Sequence, residues 1–264
     1  MHNAAFAAAG IDARYELLEI DPDEVDGVVT DARGSDWLGL GVTAPYKRVV
    51  AGLVDEVEPN AQAIGAVNNV LRTEDGRLLG FNSDAPGFRR GVELTMAGPL
   101  EGRSVVVAGA GGAARAVVFA CLDAGATSVT VGNRSRSAAA ELAAQFRSLG
   151  SVVDLDLRDP AFVEALRSAD LAVNATTVGM IDPGMTIVVD ALRPDATVFD
   201  LVYVPPETPL LAAARARGLR AANGSEMLIH QAAIAFERWT GVGGMAAVMR
   251  AAVAPLLADV AAPA

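Results

Sequence analysis

Residues 102–224 alternate short apolar runs with stretches of helical periodicity, and few architectures accept that pattern. Strands joined by crossover helices form a parallel, doubly wound sheet. Ser104–Ala108, Ser128–Val131, Val152–Leu155, Leu171–Asn174, Thr197–Leu201 and Leu219–Ala222 read as the strands. Gly112–Ala124, Ser137–Leu149, Asp159–Arg167 and Pro209–Arg217 carry the helix formers and the spacing of the helices between them.

The first of these strands runs directly into Gly109-Ala110-Gly111-Gly112-Ala113-Ala114, which opens a helix. Gly109 permits the tight turn, Gly111 lets the backbone approach a pyrophosphate, and Ala114 is small enough for close helix–strand packing. Helix N-terminal N–H groups and the positive dipole end then face the phosphates, so Gly109, Ala110, Gly111, Gly112 and Ala113 are candidate cofactor ligands. After the second strand the chain reads Gly132-Asn133-Arg134-Ser135-Arg136. An NAD site places a carboxylate there for the ribose 2′-hydroxyl. Here Arg134, with Arg136 as helper, offers charge-assisted bonds to a 2′-phosphate instead, so the expected cofactor is NADP.

The flanking segments are less regular. Ala66–Leu71 and Arg77–Phe81 surround Asp75-Gly76, a strong hairpin signal that brings Asn68 and Asp84 to one end of a ribbon, opposite each other or one step off. After Gly224 the chain is apolar and helical over Glu226–Trp239 and Gly243–Val260, without strand signals, and these helices are expected to return to the first domain. The expected organisation is an α/β protein in which residues 1–84 and 225–264 form a substrate domain with a mixed sheet, and residues 85–224 form a Rossmann-type dinucleotide-binding domain.

Composition narrows the function classes. A net charge of −11 leaves no extended basic surface for a nucleic-acid backbone. No charge-free apolar run reaches the roughly 18–20 residues that span a bilayer, and no basic-then-apolar leader opens the chain, so a cytoplasmic protein is expected. Cys121, the single cysteine, lies in an apolar helical run and reads as core. No cluster of His, Cys and carboxylates has metal-ligand spacing, and neither His2 nor His230 is placed for proton transfer. Lys47 is the only lysine among 21 basic residues. Where positive charge alone matters Arg suffices, but only a lysine ammonium is readily tuned to give and take a proton. Hydride transfer between a nicotinamide and an alcohol needs such a group beside the reacting oxygen.

Lys47 closes Gly41-Val42-Thr43-Ala44-Pro45-Tyr46-Lys47, which resembles the Asn-Val-Thr-x-Pro-x-Lys motif of the shikimate dehydrogenase family. Gly65-Ala66-Val67-Asn68-Asn69 is similar to that family's Gly-Ala-Val-Asn-Thr, and Asn82-Ser83-Asp84 to its Asn-Thr-Asp. The glycine loop, Asn133-Arg134-Ser135, Asn174-Ala175-Thr176 with Gly179-Met180, Asp200 with Tyr203, and Met227–Gly241 also match family landmarks, so the resemblance runs from Met1 to about residue 255. It implies reversible NADP-dependent reduction of 3-dehydroshikimate to shikimate, or of a quinate or aminoshikimate analogue, by a monomer or homodimer. Lys47 and Asp84 match the catalytic pair, and Thr43, Asn68, Tyr203 and Gln231 match substrate contacts. Asn133, Arg134 and Ser135 join the glycine loop as cofactor ligands, and Leu201, Gly224 and Met227 fall where the family lines its nicotinamide pocket. Two domains closing around substrate and cofactor are part of the same expectation.

The pattern also breaks. Family members carry a strand and a Ser-x-Ser motif, which holds the substrate carboxylate, ahead of a Met-His-Asn-Ala-Ala-Phe segment, and this sequence opens on Met1-His2-Asn3-Ala4-Ala5-Phe6. The expectation is therefore a chain without that strand and both serines, as if Met1 were internal to a longer reading frame. Gly41 replaces the motif's asparagine, and Thr177 stands where proline is frequent. The alternative that follows is a catalytically weak NADP-binding sensor without a carboxylate clamp. A third possibility, another substrate such as a methylene-folate in the same fold, is opposed by Asn68 and Gln231.

Overall fold

A computed structural model describes residues 1–259. In chain order the elements are α1 (His2–Ala9), α2 (Val25–Asp31), β1 (Gly39–Gly41), α3 (Lys47–Val50), β2 (Glu56–Val57), α4 (Pro59–Ile64), β3 (Asn69–Arg72), β4 (Leu78–Phe81) and α5 (Asp84–Met96). There follow β5 (Ser104–Ala108), α6 (Gly112–Asp123), β6 (Ser128–Asn133), α7 (Arg136–Phe146), β7 (Val152–Asp156), α8 (Pro160–Ser168) and β8 (Leu171–Asn174). The last are β9 (Thr197–Asp200), α9 (Pro209–Ala216), β10 (Arg220–Asn223), α10 (Ser225–Thr240) and α11 (Ala246–Asp259). Val260, the expected end of the last helix, and the rest of the expected substrate-domain tail lie outside the described residues. The chain divides into two compact units, Met1–Gly87 with Ile229–Val253, and Phe88–Leu228 with the chain from Ala254 on.

The second unit is the doubly wound sheet, six parallel strands in the order β10-β9-β8-β5-β6-β7. β8 and β9 are buried along their whole length, as strands covered by helices on both faces must be, which is why they read as unbroken apolar runs. Local chemistry starts the helices: Pro160 and Pro209 occupy first-turn positions, where their missing N–H costs nothing. The Asp159 carboxylate accepts from the Ala161 N–H at 2.9 Å, and the Thr208 hydroxyl from the Leu211 N–H at 3.3 Å. Strand order reverses between β5 and β8, and in such sheets the crevice beyond the strand C-termini at that point is where ligands bind.

The first unit holds a mixed sheet, β1-β3-β4-β2, with β2 parallel to β4 and the other pairs antiparallel. The expected hairpin is present, turning at Gly76 with φ +82°. Its register differs in detail from the expectation: Asn69 pairs with Phe81, so Asn68 faces Asn82, and Asp84 stands two residues further on as the first residue of α5. The hairpin signal locates the turn, whereas pairing depends on where the ladder stops, and β3 begins only at Asn69. Residues 11–20 form no helix or strand, and Leu17 and Leu18 are exposed there. Trp239 on α10 packs with Phe81 and Ala235, and its indole N–H donates to the Val70 carbonyl at 2.9 Å. Among the described residues no helix is long and apolar enough to cross a membrane.

Candidate active site

In the first unit the three sequence motifs converge. The Lys47 carbonyl accepts from the Val67 N–H at 2.9 Å, and the Asn68 carbonyl accepts from the Val42 N–H at 2.8 Å, so the Gly41–Lys47 and Gly65–Asn69 segments are laced together by backbone. The Asn82 side chain accepts from the Ala85 N–H at 3.2 Å and donates to the Ala66 carbonyl at 3.0 Å, which sets the start of α5 against the second motif. Lys47 opens α3 and Asp84 opens α5, and the Lys47 ammonium donates to the Asp84 carboxylate at 2.7 Å. Both side chains remain partly accessible, at 27% and 14%. An ammonium held by one carboxylate and still open to a ligand can pass a proton to or from a bound oxygen.

Beside this pair lies a polar hub that sequence reasoning missed. The buried Ser83 hydroxyl accepts from the side chains of Asn68 at 3.2 Å and Asn69 at 2.8 Å, and donates to the Gln231 carbonyl oxygen at 3.2 Å. The Asn68 oxygen in turn accepts from the Ser83 N–H at 2.8 Å. The only sequence signal for Ser83 was its place within Asn82-Ser83-Asp84. Thr43 lies at the exposed turn before α3, its carbonyl bonded to the Tyr46 N–H at 3.0 Å.

In the second unit a cavity of about 420 Å³ opens at the switch point. It is lined by Gly109 to Ala113 after β5, Asn133 and Arg134 at the end of β6, Leu157 after β7, Ala175 to Val178 with Met180 and Thr186 after β8, and Leu201 and Val202 after β9. A Cβ added at Gly111 or Gly112 would meet nothing within 4 Å, so the loop leaves open space over the start of α6. That cradle, a helix N-terminus free of side chains, fits a pyrophosphate. Arg134 is the one charged lining residue, and none of its lining neighbours is a carboxylate, which fits a 2′-phosphate rather than a bare ribose hydroxyl. Arg136, the expected helper, is 3.7 Å from the Asp154 carboxylate and does not line the cavity. Ser135 caps α7, its hydroxyl 2.9 Å from that of Ser137, also away from the lining. Gly224 packs on Leu201, where a Cβ would lie 2.9 Å from the Leu201 carbonyl carbon, and Met227 approaches Gly91. Tyr203 is on the loop after β9, partly exposed and outside the cavity lining.

The cavity walls are held by a second unforeseen network. Asp200, fully buried, accepts from the Asn174 side chain at 2.8 Å, the Val202 N–H at 3.1 Å and the Thr208 hydroxyl at 2.6 Å. Asn174 accepts from the hydroxyls of Thr176 at 2.7 Å and Thr186 at 3.0 Å. Burial pushes the Asp200 carboxyl above its ordinary pKa, and the three hydrogen bonds oppose that shift. Asp200→Ala would strand three buried donors, with an expected stability loss of about 3 kcal/mol or more in denaturant unfolding, whereas Asp200→Asn, which keeps an acceptor toward Asn174, should lose less.

Comparison with known proteins agrees with both halves. The chain matches the shikimate dehydrogenase substrate binding domain over residues 1–70, shikimate/quinate 5-dehydrogenase over 93–193, and the shikimate 5'-dehydrogenase C-terminal domain over 224–254. It is 41% identical over 263 residues to the NADP(+) shikimate dehydrogenase of Symbiobacterium thermophilum, covering 96% of this chain and 87% of that protein. The shikimate 5-dehydrogenase of Thermus thermophilus, solved with NADP(H) and shikimate, superposes with a TM-score of 0.84 at 37% identity, over 96% of this chain and 92% of the other. A quinate dehydrogenase from Corynebacterium glutamicum, solved with NAD, gives 0.89 at 35% identity, over 96% and 92%. Identity of this extent along nearly the whole chain, with the lysine–carboxylate pair and the glycine cradle both in place, makes the chain a member of the shikimate/quinate dehydrogenase family.

Proposed function

We propose that this protein catalyses the reversible NADP-dependent reduction of 3-dehydroshikimate to shikimate, with Lys47 and Asp84 as its catalytic pair. The observation that carries the reading is the 2.7 Å contact between the Lys47 ammonium and the Asp84 carboxylate, beside a buried amide–hydroxyl hub suited to a ring bearing several hydroxyls. When bound, the nicotinamide of NADP gives or takes the hydride. Lys47 supplies the accompanying proton to the substrate carbonyl oxygen, or removes it from the hydroxyl, so the C=O bond and one hydride plus one proton balance one alcohol. Asp84 orients the ammonium and balances its charge. Thr43, Asn68 and Gln231 bind ring hydroxyls, and Tyr203 is assigned to the same substrate.

Gly109 to Ala113 hold the pyrophosphate, Asn133, Arg134 and Ser135 the adenosine end, and Leu201, Gly224 and Met227 the nicotinamide end. An acidic chain of this kind acts in the cytoplasm on a small molecule, as a monomer or homodimer.

Steady-state oxidation of shikimate with NADP tests the reading directly: turnover is expected, and NADP binding without turnover of shikimate or quinate would reject it. Arg134→Ala is expected to raise the KM for NADP by about 10- to 100-fold, the value of a charged hydrogen bond, and to leave the KM for NAD unchanged. Equal losses with the two cofactors would remove Arg134 from the 2′-phosphate.

A further inference from the structure

Tyr15 is over-equipped for its packing role. Its backbone N–H donates to the Asn3 side-chain oxygen at 2.6 Å, and its carbonyl accepts from the Asn3 amide at 3.0 Å, which ties the segment to α1. The ring stacks on His2 with centroids 4.4 Å apart and lies 6.0 Å from Trp239. Burial pushes His2 down to about 4, so this stack is uncharged at neutral pH. A phenylalanine would make every one of these contacts. The hydroxyl is the surplus group, and no hydrogen bond from it is recorded among the described residues.

Its position is specific. A Cβ on residue 41 would overlap the Tyr15 hydroxyl oxygen and sit 3.4 Å from Cζ, so the phenol end fills the space a side chain at position 41 would take. Gly41 is exposed, and it pairs with Asn69, so the hydroxyl lies on the sheet face that carries the Asn69 side chain. Asn69 bonds Ser83, and Ser83 bonds Gln231. Thr43 follows two residues along the strand direction, and the backbone of Val42 between them bonds Asn68. The hydroxyl therefore stands at the rim of the polar hub. Its ring is partly buried, which raises the phenol pKa and keeps it a proton donor.

We propose that the Tyr15 hydroxyl is a substrate-binding group, donating a hydrogen bond to an acceptor oxygen of the ring substrate, a carboxylate or hydroxyl oxygen, in the space left by the absent side chain of Gly41. The proposal rests on the shikimate reading of this site. It also accounts for a glycine where the family motif carries asparagine: the polar group over this position arrives from a different segment.

The test compares wild type, Tyr15→Phe, Gly41→Ala and the double variant by titration calorimetry with shikimate and by steady-state kinetics. Tyr15→Phe is expected to raise the Kd and KM for shikimate about five- to tenfold, the range of a neutral to charge-assisted hydrogen bond. The kcat, the KM for NADP and the melting temperature should stay unchanged. Gly41→Ala, which displaces the hydroxyl, should weaken shikimate similarly in the wild-type background and add little in the Tyr15→Phe background.

Shikimate methyl ester separates the two acceptors. A Tyr15→Phe effect lost with the ester assigns the carboxylate, and an effect retained assigns a ring hydroxyl. Unchanged shikimate affinity in Tyr15→Phe, or equal Gly41→Ala losses in both backgrounds, would overturn the proposal alone. Failure of the wild type to bind or turn over shikimate would overturn both it and the functional reading.

Discussion

Lys47→Ala is expected to lower kcat for shikimate oxidation by about 10²–10⁴, the usual range for a lost general acid or base, while the Kd for NADP holds at its wild-type value. The separation follows from the architecture. Lys47 and Asp84 belong to the first unit, whereas the glycine cradle and Arg134 line a cavity built from the second. Lys47→Arg discriminates further: arginine keeps the positive charge and a hydrogen bond to Asp84 but does not give up its proton in the working pH range. Its turnover should therefore stay near that of the alanine variant, and recovery toward wild type would show that charge rather than proton transfer is what position 47 provides. Stopped-flow or steady-state assays at saturating NADP, beside a fluorescence titration of the cofactor, read both quantities.

The second large effect is expected at the glycine loop, where two glycines should fail in different ways. Gly109 has φ +117°, and a Cβ there would lie 2.6 Å from the Ala175 carbonyl oxygen and 2.8 Å from its carbon. Both contacts are backbone, so neither can swing aside. The Gly109 N–H donates to Gly132 and the Ala175 N–H to Ala108, each at 2.7 Å, so the loop is held from both neighbouring strands. Gly109→Ala is expected to cost about 2–5 kcal/mol of stability through strain and overpacking, and to abolish measurable NADP binding. Gly111 has φ −80° and no neighbour within 4 Å of an added Cβ. Gly111→Ala should fold with stability within about 0.5 kcal/mol of wild type. Its methyl would project into the phosphate cradle, so NADP affinity should fall more than about tenfold, or 1.4 kcal/mol. Urea midpoints and NADP titrations of the two variants test the contrast. Equal stability losses would mean that the loop conformation is not what Gly109 secures.

Much of this fold was legible because its signals are local. The strand Leu171–Asn174 is found as expected, and the other strands and helices of the doubly wound sheet fall within a few residues of their expected ends. Apolar runs flanked by Gly112, Pro160 and Pro209 report burial and backbone preference together. Boundaries moved where pairing rather than composition sets them. β6 extends to Asn133 because Gly132 and Asn133 find partners in β7, and β3 starts at Asn69 because the preceding residues bond to loops instead. Of the site residues, Lys47 stood out as the single lysine and Gly109 by its place between strand and helix. Ser83, Asp200 and Thr208 gave no comparable signal, since a buried serine, aspartate or threonine becomes conspicuous only once its partners are known.

By itself the chain dictated its classes of structure and chemistry: a parallel sheet from alternating apolar runs, a phosphate cradle from three glycines, and a tunable amine from one lysine. Tertiary structure decided which polar groups meet, committing Arg136 to Asp154, joining Ser83 to Gln231 across 148 residues and setting the Tyr15 hydroxyl over Gly41. The division has a physical cause. Periodicity and backbone preference act over a few neighbouring residues, whereas a hydrogen bond depends on ångström-scale proximity between segments that only the packed core brings together.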